Sequence, residues 1–487
     1  MKIALVQCPC YSIKMPPLGI AYLCAVLKKE SYPVEVFDFN AELYWKYKEL
    51  WKDENDIYWY PNTFFLKGEE LENYVNLFAD RIIQADAKVI GFSVAATSRV
   101  LSLLVARRIK ELDKDRIIVF GGPECYREMP EVFFKTAAVD VIVQGEGEIT
   151  LIELLSRLRD GRALTDCNGL IFQQDGKIIQ TAPRELIKNL DSLPFPDFSL
   201  FDQDRYSDRV RLPMLMSRGC VRRCVFCFDV WYYQQKYRIR SPEHIVNELE
   251  YLMKDYNIKE IEFSDLLLNG DLENLEKVCD LLIQRNIVNI EWMGSAALRN
   301  MEKKLLQKMF QTGCRYLTFG VESGSQRVID LMGKGTSLDD ISLIIQNTAE
   351  AKISITTNWL IGFPGEERAD LIETMKFIVR HRRYLNMVGV CTLAINPRTT
   401  IHQDAERRGI QLDPTFALNW RYKDNDFKER KHRERVFLRF LCEVGLLDAQ
   451  KHPNAKELLE DSVYAQRLIQ KFIAELDNEE NKKSVTI

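Results

Sequence analysis

M-S-R-G-C-V-R-R-C-V-F-C-F-D, residues 216–229, places cysteines at 220, 224 and 227 with no fourth beside them. The triplet follows an apolar strand-like run, P-M-L-M at 213–216, so it sits where a strand gives way to a loop. A closed structural thiolate site takes four ligands. Three thiolates suit a cubane iron–sulfur cluster whose remaining iron is left open to a small molecule. The competing reading is zinc, with His244 completing a C-x3-C-x2-C-x16-H arrangement. His244 falls in S-P-E-H-I-V, which reads as the first turn of a helix.

Downstream of the triplet, strand-like runs begin near Pro213, Glu260, Glu291, Tyr316, Ser354 and Met387, with helical text between them. Six βα units in succession predict a parallel, partial (β/α)6 barrel over 206–400, with its chemistry at the carboxyl ends of the strands. Upstream, apolar runs at Ile3–Cys8, Val34–Phe39, Val89–Val94, Ile117–Phe120 and Val139–Val143 alternate with helical stretches such as Ile20–Lys29 and Val100–Leu112. That alternation predicts a doubly wound, Rossmann-like α/β domain over 1–160, binding its ligand where strand order reverses. Between the two, 161–205 reads as a hairpin turning at Asp175-Gly176 and a stiff linker, L-P-F-P-D at 193–197. Residues 401–487 read as a helical region. Within it K-E-R-K-H-R-E-R at 428–435 is expected to be a solvated helix face, and L-N-W-R-Y-K-D at 418–424 a loop packed on the barrel or a grip on substrate.

The chain has 487 residues, 46% hydrophobic and 28% charged, with a net charge of −4. A surface broadly adapted to nucleic acid is excluded by that charge. No run of about 18 apolar residues predicts a membrane span. Twelve scattered cysteines predict reduced thiols and a cytoplasmic location. Cys279, Cys314, Cys391 and Cys442 lack paired spacing and are assigned to packing; Cys8 and Cys10 are read as buried structural thiols in preference to a metal contact.

The stretch C-V-R-R-C-V-F-C resembles the C-x3-C-x-aromatic-C motif of the radical S-adenosylmethionine (SAM) enzymes. The resemblance implies that Cys220, Cys224 and Cys227 hold a [4Fe–4S] cluster whose open iron chelates SAM, with Phe226 packing on the adenine. I-E-F-S-D at 261–265 implies SAM contacts at Ser264 and Asp265, without the commoner paired glycines. F-G-V-E-S-G-S at 319–325 implies contacts at Glu322 and Ser323, and I-G-F-P-G-E at 361–366 implies an adenine turn at Gly362 and Pro364. The first 150 residues resemble the cobalamin-binding domain of one branch of this family. P-P-L-G-I at 16–20 contributes Pro17, Leu18 and Gly19, and G-F-S-V-A-A-T at 91–97 contributes Ser93 and Thr97. G-G-P-E at 121–124 contributes Gly121, Gly122, Pro123 and Glu124, and V-Q-G-E-G-E-I-T at 143–150 contributes Gly145, Glu146, Gly147 and Glu148. The five histidines are His244, His381, His402, His432 and His452, so none precedes residue 244 and the D-x-H-x-x-G motif is absent. Cobalamin is therefore expected to bind without a histidine lower ligand.

The family further implies two uses of SAM by a C-methyltransferase, fed by an external reductant such as flavodoxin or ferredoxin. The substrate is a small molecule or peptide. A cyclase, ring-contraction or rearrangement enzyme is the alternative, and a non-catalytic zinc or iron–sulfur module the remote one.

Overall fold

Short apolar runs build the centre of the first sheet. In the computed structural model the strands are β1 (Ile3–Gln7), β2 (Val34–Asp38), β3 (Val89–Ser93), β4 (Ile117–Gly121), β5 (Val141–Val143), β6 (Leu170–Gln174) and β7 (Lys177–Gln180). They lie in the order β2-β1-β3-β4-β5-β6-β7, parallel from β2 through β5. All five residues of β1 are buried, as a central strand covered on both faces requires. The covering helices include Leu18–Lys29, Gly68–Gln84, Arg99–Leu112 and Gly147–Asp160. Strand order reverses at β1, so the loops after β1 and β3 flank the crevice where such sheets bind ligands.

The structure describes residues 1–47, 66–125 and 130–448 apart from 288, 300 and 415, together with 470 and 474. The end of the expected helical region, including His452, lies outside them. The chain divides into two compact units, Met1–Pro213 and Met214–Ile487. The hairpin read as the start of a linker is instead part of the first sheet, because β6 pairs antiparallel with β5 and β7 with β6. Leu170, Ile171 and Phe172 are buried there, and Asp175 and Gly176 take φ of 50° and 72°, the left-handed pair of a tight hairpin turn. Hairpin text identifies the turn but not the sheet that it joins.

The second sheet holds β8 (Arg211–Met214), β11 (Glu260–Phe263), β12 (Glu291–Ala296), β13 (Cys314–Glu322), β14 (Ser354–Ile361) and β15 (Met387–Thr392), hydrogen-bonded in that order. Its pairs from β11 to β15 are parallel. β8 and β15 are its two ends, which makes the barrel partial. A small antiparallel pair, β9 (Ser217–Arg218) and β10 (Arg238–Ile239), brackets the cysteine loop.

One face of the sheet is packed by helices. Trp359 of β14 meets Phe377 of the helix Arg368–His381 and Phe437 of the helix Phe427–Glu443. Within 428–435 the expected solvated face fails at Arg430, which is buried, while Lys428, His432 and Arg435 are exposed. Further along the same helix Phe437, Leu438, Arg439, Phe440 and Leu441 are buried. Charge density in the sequence indicated solvent, whereas Arg430 finds a ring and backbone carbonyls inside. No helix among the described residues is long and apolar enough to cross a membrane.

Candidate functional site

The cysteine loop leaves β9 through Gly219, whose φ is 92° and whose added Cβ would fall 1.9 Å from the Lys236 carbonyl oxygen. Only glycine passes there. Cys220, Cys224 and Cys227 follow, all half-buried. The Arg222 backbone N–H donates to Cys220 Sγ at 3.3 Å, and the Cys227 N–H to the Cys224 carbonyl at 3.1 Å. The Arg222 guanidinium clamps the loop by donating to the carbonyls of Lys334 (3.0 Å), Gly335 (2.9 Å) and Leu298 (3.1 Å). Val225 ties it further, donating to the Met332 carbonyl at 3.0 Å and accepting from the Ile401 N–H at 2.9 Å.

Burial raises the Cys220 and Cys224 thiols above their ordinary value, opposed by the Arg222 N–H at the first and by Lys334 at the second. Thiols in such a place become thiolates once a positive metal centre is bound, so the donor set fits iron. Among the described residues no three His, Cys, Asp or Glu side chains are grouped to hold a metal ion. A cubane distributes its thiolates over three irons, and its ligands need not converge on a point. His244 Nδ1 accepts from Arg240 Nε at 2.9 Å, and its backbone N–H donates to Ser241 Oγ at 3.2 Å. This places the histidine in the capping turn of the helix Pro242–Tyr256, against the zinc reading.

The other motif residues sit at the same ends of neighbouring strands. Phe226 packs edge-on against Phe363 with centroids 6.2 Å apart, which brings it beside Gly362 and Pro364. Glu322 takes φ of 70° where the β13–β14 register shifts, and its Oε1 lies 3.3 Å from Lys334 Nζ. Gly320 makes room for that carboxylate, since a Cβ there would lie 2.4 Å from Glu322 Oε1. Ser323 is buried, with Oγ 3.2 Å from Thr374 Oγ1 and accepting from the Ser325 N–H at 3.1 Å. Ser264 is exposed at the end of β11. Asp265 is buried and accepts from the N–H groups of Met216 (2.9 Å) and Ser217 (2.6 Å) and from Ser217 Oγ (2.5 Å). Burial pushes it up to about 6 against the pull of those donors. In this arrangement its carboxylate clamps the strand end that feeds the cysteine loop.

In the first unit the motif loops gather at the carboxyl ends of β1, β3, β4 and β5. Gly122 takes φ of 104°, and a Cβ would lie 2.8 Å from the backbone N and O of Val94. Gly121 accepts from the Val94 N–H at 2.7 Å and Val94 from the Glu124 N–H at 3.1 Å, so the loops after β3 and β4 are laced together. Thr97 Oγ1 donates to the Cys10 carbonyl at 2.7 Å, lacing in the loop after β1. Burial raises the Glu124 carboxyl, while its ion pair with Arg99 works the other way. Glu146 accepts from the Ile187 N–H at 2.8 Å, and Glu148 is buried. Pro17 is buried and Leu18, Ser93 and Gly147 half-buried, whereas Gly19 and Pro123 are exposed and Gly145, at φ 70°, has open space around it. Burial pushes the Cys8 and Cys10 thiols up to about 12, the condition of structural thiols.

Residues 214–378 match the Radical SAM superfamily. An uncharacterized methyltransferase of Pyrococcus horikoshii is 30% identical over 366 residues, 74% of this chain and 72% of that one. This chain belongs to the radical SAM superfamily. As a radical SAM enzyme it works with a [4Fe–4S] cluster and SAM.

An anaerobic magnesium-protoporphyrin IX monomethyl ester cyclase of Rubrivivax gelatinosus is 27% identical over 278 residues, 55% of this chain and 49% of the cyclase. The structure of the radical SAM methyltransferase TsrM from Kitasatospora setae, with cobalamin and a [4Fe–4S] cluster bound, superposes with a TM-score of 0.65 at 18% identity, covering 85% of this chain and 76% of that one. The two chains thus share a fold.

Sequence reasoning missed Lys334 of this radical SAM enzyme, which joins the cysteine loop to Glu322. Its signal was the flanking pair Gly333 and Gly335, both at positive φ, of 66° and 59°.

Proposed function

We propose that this radical SAM enzyme is a cobalamin-dependent methyltransferase acting on an unactivated carbon. The observation that carries the reading is the union, in one chain, of a three-cysteine partial barrel with a β2-β1-β3-β4-β5 sheet whose glycine-bearing loops gather at one edge. The likeness to the P. horikoshii methyltransferase over most of both chains favours methylation. Cys220, Cys224 and Cys227 would hold the cluster. Phe226, Ser264, Glu322, Ser323, Gly362 and Pro364 would form the SAM site, with Asp265 holding the strand end behind it, and the loops at 17–19, 93–97, 121–124 and 145–148 the cobalamin site. When bound, the cluster supplies the electron that cleaves SAM, and cobalamin supplies the methyl group. The chain's own share is positional. Arg222 and Val225 fix the cysteine loop, Lys334 puts a positive charge beside it, and Phe226 with Phe363 offers an apolar wall to the adenine.

The cyclase relative favours a second reading, ring formation without net methyl transfer. In either reading an external one-electron donor of the flavodoxin or ferredoxin type reduces the enzyme, in the cytoplasm. The deciding experiment is anaerobic incubation of cluster-loaded, cobalamin-loaded enzyme with SAM and dithionite. Formation of 5′-deoxyadenosine together with S-adenosylhomocysteine supports methyl transfer, and 5′-deoxyadenosine alone moves the assignment to the cyclase reading. Zinc in place of iron would overturn both. Electron paramagnetic resonance of the cob(II)alamin form tests the lower face, where no nitrogen superhyperfine splitting is expected.

A further inference from the structure

The stretches 418–424 and 428–435 meet behind the turn that follows β14. Arg430 is fully buried on the helix Phe427–Glu443. The acceptors that its guanidinium reaches are uncharged: the carbonyls of Leu418 (2.6 Å), Trp420 (2.9 Å) and Asn425 (3.1 Å), with Asn425 Oδ1 at 3.5 Å. Its Cζ lies 3.5 Å from the centre of the Trp420 ring. Burying a cation against neutral acceptors alone is costly, and the planar guanidinium fork offsets that by spreading its donors over three carbonyls.

The geometry leads to the turn. Gly362 takes φ of 79°, and a Cβ there would lie 2.7 Å from Arg430 Cγ and 3.1 Å from Cδ, so the arginine stem packs on bare backbone. Asn425 Nδ2 donates to the Gly362 carbonyl at 3.0 Å, while the Gly362 N–H donates to Glu366 Oε1 at 3.0 Å. Arg433 donates to the Glu366 carbonyl at 3.1 Å. The turn is therefore held from behind at both ends by residues 425–433.

We infer that Arg430 is a positioning residue for SAM, locking Trp420 and Asn425 beneath the Gly362–Glu366 turn and so setting the backbone which that turn presents to the adenine. The inference rests on the reading of this turn as a SAM contact. Arg430 acts through the turn and does not itself touch SAM.

The test is equilibrium dialysis of radiolabelled SAM against anaerobic, cluster-loaded full-length enzyme, with iron content and binding stoichiometry recorded for each variant. Arg430→Met and the milder Asn425→Ala are each expected to raise the Kd for SAM about tenfold, the scale of one lost buried hydrogen-bonding arrangement, with iron content and stoichiometry unchanged. A merely structural role would instead lower stoichiometry and iron together and leave the Kd of the remaining sites alone, which would overturn the inference. Should Arg430→Met not fold, Asn425→Ala decides. Pro364→Ala, within the turn, separates the two layers of the argument. If Pro364→Ala weakens SAM binding while Arg430→Met and Asn425→Ala do not, the positioning role falls and the turn keeps its assignment. If none of the three shifts the Kd, the turn's assignment falls and the inference with it.

Discussion

Asp265, just past β11, has three donors converging on its carboxylate from Met216 and Ser217, the residues that lead into the cysteine loop. An amide in its place keeps one acceptor and turns an NH2 group toward a buried N–H. Asp265→Asn is therefore expected to destabilise the protein by about 1–3 kcal/mol, read from denaturant unfolding of the full chain. Gly219 presents the opposite case, where any side chain is too much. With a Cβ 1.9 Å from the Lys236 oxygen, Gly219→Ala is expected to displace the loop and lose most of the bound iron, measured on reconstituted enzyme. At this scale the three cysteines were legible because their spacing is covalent and survives without a fold. Lys334 was not, since it comes within 3.3 Å of Glu322 only through the turn at Gly333 and Gly335.

Helices and strands here were readable from periodicity, but what each element grips was not. Arg222 lies between two cysteines and reads as local charge, yet its guanidinium spans the carbonyls of Lys334, Gly335 and Leu298. Arg222→Met leaves those carbonyls without a donor and frees the loop. Iron retained after gel filtration is expected to fall, with little change in far-ultraviolet circular dichroism, because the clamp belongs to the loop and not to a helix. The helix Pro242–Tyr256 starts at Ser241, whose Oγ caps the His244 N–H. Ser241→Ala is expected to cost about 1 kcal/mol in unfolding free energy, the usual worth of such a cap. The hairpin at β6 and β7 was evident from Asp175-Gly176, but its place at the edge of the first sheet depends on pairing with β5, more than 25 residues away in the chain.

Across the whole molecule, buried carboxylates give stability a definite dependence on pH. Burial pushes Asp38 and Asp265 up to about 6 and Glu366 up to about 7. Each binds its proton more tightly folded than unfolded, so its contribution is fully present below the unfolded value near 4. It is lost as the pH rises from about 4 to about 7, where the unfolded chain has already released the proton. Melting temperature is thus expected to decline over that window, and Glu366→Gln to flatten the decline, as scanning calorimetry at a series of pH values would show. By itself the sequence determined the three-cysteine spacing, the two α/β texts and the lack of an early histidine, because spacing, periodicity and composition are local properties of the chain. Only the tertiary structure decided that the hairpin extends a sheet and that Asp265 clamps a strand end. It also decided that the charged stretch at 428–435 sends Arg430 inward beneath Gly362. Those outcomes depend on which carbonyls, rings and bare glycine backbones long-range packing brings within hydrogen-bonding or van der Waals reach, and no window of sequence contains both partners.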